Sequence, residues 1–262
     1  YRRQRQMCIR DRFYAKWTPI TYTVIFDANG GTGSMDPQTF TYGISKNLTA
    51  NTFTKEGYKF LGWSETKDKS VKYADQASVI NLASENEAEV TLYAVWQINQ
   101  YTITFESNGG SAVTSITQNY GTAVNDPEYP TREGYTFAGW FTDAEFANAY
   151  TFGKMPAENI TLYAKWTINQ YTITFNSNGG SEVSAVTQDY NTPVTKPDNP
   201  TKTGYTFAGW FKDNNTFLQE WNFETDTIPV NGTTLYDKWT PIVYSVIFDA
   251  NSGTGNMSNQ TF

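Results

Sequence analysis

Apolar and polar residues alternate with a period of two in short runs bounded by turn-forming residues, and the same runs return in the same order along the chain. YTVIFDANGG at Tyr22 reappears as YTITFESNGG at Tyr101, YTITFNSNGG at Tyr171 and YSVIFDANSG at Tyr244. Tyr101, Ile103 and Phe105 alternate with Thr102 and Thr104, which predicts a strand with one apolar face and one threonine face. Each run ends in the same turn signal. Asn29-Gly30, Asn108-Gly109 and Asn178-Gly179 accept the positive φ angles of a tight hairpin turn. A returning strand then closes on Gly43, Gly121 or Asn191, residue types that tolerate a left-handed turn.

The middle and end of each unit carry two further motifs. GYKFLGW or GYTFAGW ends at Trp63, Trp140 and Trp210, and TLYAVW, TLYAKW and TLYDKW end at Trp96, Trp166 and Trp239. Tyr135, Phe137 and Gly139 alternate with Thr136, Ala138 and Trp140, and the closing motif alternates likewise, so both read as strands. Prolines before Gly134 and Gly204 exclude a long helix there. Residues 64–90, 141–160 and 211–233 vary most and leave room for one short helix each. Four or five strands per unit should make one small sheet.

The repeat divides the chain. We expect complete units at 22–96, 101–166 and 171–239, the end of a preceding unit with its linker at 13–21, and the start of a truncated fourth at 244–262. Linkers of four residues cannot act as floppy tethers, which predicts a semi-rigid rod of roughly 30 to 40 Å per unit. Tandem copies extend a spacer or multiply a binder, whereas a catalytic site gains little from them.

Composition narrows the chemistry. Aromatics make up 16% of 262 residues and His is absent, so real cores are available while imidazole bases and His metal sites are excluded. The whole chain carries −7, yet its first 21 residues hold six basic residues against one acid. Residues 1–12, which include Cys8, read as a foreign head, against the alternative of a basic arm for nucleic acid or a membrane surface. The foreign-head reading leaves no basic arm for nucleic acid, and no run is long and apolar enough for a membrane helix, so neither nucleic acid nor direct membrane insertion is expected. The Asp27 loop places Thr32 and Gln38 where a calcium loop needs Gly and Glu, so no metal is expected. No acidic position recurs in all units as a pair of hydrolase carboxylates would. Lys165 and Lys238 suggest a lysine–asparagine crosslink, but Val95 takes that column in the first unit. We expect no cofactor and no enzyme. The recurring tryptophans read as core; Trp221, found in the third unit alone, is a better candidate for an exposed contact than the six paired ones, with local packing the favoured reading there too. The alternative is a carbohydrate-binding array in which exposed aromatics stack on sugars.

The succession YTITFxSNGG, TQxYG, PTREGYTFAGW and TLYAKW resembles the Listeria/Bacteroides repeat family, the B repeats of internalin-type bacterial surface proteins, over residues 13–262. The resemblance implies a small α+β, mainly β unit of β-grasp-like, ubiquitin-like form. It also implies a place on the bacterial cell surface, outside the cell. The role implied is that of stalk or adhesive spacer beside a separate recognition domain, with a protein or glycan of a host or neighbouring cell as partner. No catalytic residues carry over. What remains is a structural signature: Asn29, Gly30, Trp63, Trp96, Asn108, Gly109, Trp140, Trp166, Asn178, Gly179, Trp210 and Trp239.

Overall fold

The computed structural model describes residues 12–68 and 70–262. The foreign-head reading of residues 1–12 falls outside them, Arg12 excepted. One compact unit comprises the described chain up to Ile103 with residues 116–125 and 152–160; the other comprises residues 104–115, 126–151 and 161–262. The second repeat thus gives part of itself to each.

In the first unit, β1 (Thr21–Asp27), β2 (Gln38–Thr41), β3 (Lys46–Asn47), β4 (Tyr58–Ser64), β5 (Ser78–Val79) and β6 (Ala88–Ile98) form the first repeat. Its main sheet has the order β2-β1-β6-β4. β1 and β6 run parallel, from Tyr22 opposite Ala88 to Asp27 opposite Tyr93, while β2 and β4 are antiparallel to their neighbours. The side chains of β1 follow the period-two expectation residue by residue: Tyr22, Val24 and Phe26 are buried, and the residues between them are half-buried.

The second repeat supplies β7 (Gln100–Glu106), β8 (Ile116–Asn119), β9 (Tyr135–Phe141) and β10 (Ile160–Ile168) in the order β8-β7-β10-β9. The third supplies β11 (Gln170–Asn176), β12 (Val186–Asp189), β13 (Tyr205–Phe211) and β14 (Thr233–Pro241) in the order β12-β11-β14-β13, again with a parallel central pair. β15 (Ser245–Val246) and β16 (Gln260–Thr261) pair as a hairpin.

A parallel pair demands a long crossover, and β1 reaches β6 only through residues 28–87, which include β2 to β5. Residues 64–90, 141–160 and 211–233, which join the antiparallel neighbours β4 and β6, β9 and β10, and β13 and β14, leave room for one short helix each. Among the described residues there is no helix, so the unit is mainly β without the α part. These segments instead fold back onto the core by short bridges: Tyr150 donates to Trp140 O at 2.8 Å and Trp221 to Trp210 O at 2.8 Å, as Trp63 and Tyr73 bond each other in the first repeat.

Two further expectations change. Strict alternation in the GYTFAGW strand fails, because the ladder shifts register between Phe60 and Gly62 and between Phe207 and Trp210. A bulge adds a residue to one strand and turns the next side chain over. Gly139, at φ 124, marks the same place in the second repeat, and Phe137 and Trp140, expected on opposite faces, meet with ring centroids 5.3 Å apart. The Asn-Gly pair is also no two-residue hairpin. Asn29 and Gly30 take positive φ values of 47 and 84, and Gly31 donates to Ala28 O. The β1–β2 ladder nevertheless ends at Val24 opposite Gln38, because the turn is held elsewhere.

Candidate functional site

The turn is held by the closing strand. Asn29 Nδ2 donates to Ala94 O at 2.9 Å and Trp96 Nε1 donates to Ala28 O at 2.9 Å. The second repeat repeats both bonds, Asn108 Nδ2 to Ala164 O and Trp166 Nε1 to Ser107 O, and so does the third, Asn178 Nδ2 to Asp237 O and Trp239 Nε1 to Ser177 O. The signature residues Asn29, Asn108, Asn178, Trp96, Trp166 and Trp239 therefore form one lock per repeat. Each Asn supplies both the left-handed turn and a side-chain donor, and each indole satisfies a carbonyl. Gly30, Gly109 and Gly179 complete the positive-φ turn, at φ 84, 85 and 84.

The second tryptophan of each repeat lies inside. Trp63 is 0% exposed, Trp140 3% and Trp210 1%, each against the phenylalanine of its opening strand, as Phe175 is 4.8 Å from Trp210. None of the three indole N–H groups finds a partner among the described residues. Trp221, the candidate for an exposed contact, is buried as well, at 5%. Its bridge to Trp210 is the bridge made by Tyr73 and Tyr150, so it is the third member of an aromatic column that differs in residue type. These indoles offer no ring face for a sugar to stack upon. Lys165 and Lys238 place their ammonium groups over phenylalanine rings, 5.0 Å from Phe141 and 5.3 Å from Phe211, a cation–π role.

The linkers are the second recurring site; their shortness was read as stiffness, without the residues that tie them down. β6 ends at Ile98 and β7 starts at Gln100, leaving Asn99 alone between them. Its N–H donates to Gly57 O behind it, and its C=O accepts from Tyr120 N ahead of it, both at 2.9 Å. Asn169 does the same between Gly134 O and Tyr190 N. The tyrosine ring lies flat over the glycine: a side chain on Gly57 would run into the ring of Tyr120, and one on Gly134 into that of Tyr190. Tyr58 and Tyr135 flank these rings edge-on at 6.3 and 6.2 Å. Burial, and after it the Glu56 carboxylate, pushes the Tyr120 hydroxyl above its usual range. The signal was available in GYxF and TQxY, whose glycine and tyrosine recur in step.

The Listeria-Bacteroides repeat domain family matches residues 22–95, 101–165 and 171–238. The chain belongs to this family. It is 42% identical over 246 residues to a protein of Evansella cellulosilytica named as a Gly-rich membrane protein, covering 92% of this chain and 28% of that one. A second protein of that organism, named as a membrane protein, is 39% identical over 91% of this chain and 34% of its own length. Internalin H of Listeria monocytogenes is 42% identical over 53% of this chain and 25% of its own length. The chain thus spans about a third or less of the relatives it matches.

Proposed function

We propose that this chain is a non-catalytic run of structural and adhesive repeats in a bacterial surface protein. In this reading it holds a separate recognition domain away from the cell, outside it, and contacts a protein or glycan of a host or neighbouring cell. The repeats are 22–96, 101–166 and 171–239, each a helix-less relative of the β-grasp sheet, whose mixed order with a parallel central pair the observed ladders resemble. The observation that carries the reading is the Tyr-on-Gly junction. A one-residue linker bonded on both sides, with the same ring on the same glycine at Gly57 and Gly134, restricts how far one repeat can swing against the next. Membership in a family shared with Internalin H supports the surface placement.

Small-angle scattering on the full chain tests this. An extended array has a largest dimension on the order of 100 Å, from roughly 30 to 40 Å per repeat of this size. A profile for a single compact globule would overturn it. Replacing Tyr120 and Tyr190 by Ala should broaden the distribution of lengths while each repeat keeps its fold.

A further inference from the structure

The closing strands of the three repeats place Ala94, Ala164 and Asp237 in one column, and all three are 0% exposed. An aspartate in a position that two sister repeats fill with a methyl group is costly. A buried carboxylate must lose its hydration and needs donors in return, yet neither oxygen of Asp237 has a hydrogen-bond partner among the described residues. The side chain lies across the ladder from Trp210, whose indole N–H is likewise unpaired. From the preceding turn, Asn178 spends its amide on the Asp237 backbone carbonyl. From the segment before β13, the charge acting on Asp237 is Lys202, whose ammonium is engaged by Asn178 O at 2.8 Å. Lys238, next along the strand, faces the Phe211 and Phe217 rings.

We propose that Asp237 makes the third repeat acid-stabilised, so that it is the repeat that loosens first as the surroundings pass from acidic to neutral. The driving force is geometric: protonation removes the charge from a core position that offers it no donor. Burial pushes the carboxyl up to about 6; the nearby Trp239 indole, which gives its N–H to Ser177 O, and the Lys202 ammonium, which is engaged by Asn178 O, oppose it only in part. A carboxyl raised on folding contributes its full stability below the unfolded value, near 4, and loses it as pH rises through about 6. The first and second repeats, with Ala94 and Ala164, lack this dependence. A repeat array with one such member would shed rigidity at a defined place when moved out of an acidic medium.

Hydrogen exchange with mass spectrometry on the full chain reads this directly, after correction for the intrinsic pH dependence of exchange. The protection of 233–241 relative to 160–168 should fall roughly fiftyfold between pH 4 and pH 7.5, as a carboxyl displaced from near 4 to about 6 requires. In D237A and in D237N that ratio should be flat. A flat ratio in the unaltered chain, or a fall that persists in both variants, overturns the proposal. The unaltered chain decides the matter even if a variant fails to fold, because the second repeat is its internal reference.

Discussion

The α-carbon of Gly31 lies against the indole of Trp96: a methyl group built on it would sit 2.8 Å from the ring and 2.9 Å from Thr54 O. The third repeat has the same approach, Gly180 to Trp239 at 2.5 Å. This contact explains why the turn carries two glycines, the first for its φ and the second for the ring. Gly31→Ala should cost about 1–3 kcal/mol by overpacking, with Trp96 fluorescence shifted because the indole can no longer reach Ala28 O. Urea unfolding with an unchanged midpoint would show that the ring yields freely.

The lock depends on a donor as well as on a turn. Asn108→Asp keeps the shape and the tolerance of positive φ but removes the Nδ2 donor from Ala164 O and sets a carboxylate against that carbonyl. A loss of about 1–3 kcal/mol follows from the unpaired acceptor. Asn108→Gly keeps the turn and also loses the bond. Thermal melting that leaves Asn108→Asp as stable as the parent would mean that turn chemistry alone accounts for the asparagine.

Gly134 and Gly204 separate backbone strain from the junction contact. Both hold positive φ, 75 and 80, but Tyr190 covers Gly134, whereas among the described residues nothing lies within 4 Å of where a Gly204 side chain would begin. Gly204→Ala should therefore cost only the left-handed strain of about 1–2 kcal/mol. Gly134→Ala should cost about 1–3 kcal/mol more. Equal losses in denaturant titrations would remove the tyrosine from the account.

Acid acts on the third repeat in two opposite ways. Asp213 is held at about 2 by the Thr216 N–H first, then by the Thr216 hydroxyl and the Phe217 and Asn215 amides. A carboxyl lowered on folding contributes above its unfolded value, near 4, and that contribution is lost as pH falls through about 2. The Thr216 and Phe217 amides should thus exchange faster below about pH 3, a window in which the contribution of Asp237 to β14 is already complete. Asp213→Ala should show the fast exchange at every pH, seen by NMR; amides that stay slow in that variant would dismiss the cap.

Much of this was legible before any coordinates. The alternation of Tyr22, Val24 and Phe26 fixes which side of β1 is buried, since only one face of such a strand can leave water. The Asn-Gly pairs mark left-handed turns because few other residues tolerate them. The strand alternation around Phe137 and Trp140 misled, because a bulge is a property of the ladder and Gly139 alone does not announce one. Trp221 packs inside, as its favoured reading has it, but its kinship with Tyr73 and Tyr150 could not be read: the column is defined by a backbone bridge and filled by different residue types.

Periodicity and recurrence by themselves determined the strands, the repeat and its family, for these depend on local patterns that survive copying. Tertiary structure alone decided that β1 runs parallel to the closing strand, that the crossover needs no helix, and that Asn99 ties Gly57 to Tyr120. It also decided that Asp237 stands unpaired where its sisters carry a methyl group. Each is a contact between residues tens of positions apart, and a linear pattern does not encode which distant groups share a place or whether a buried charge there meets a donor.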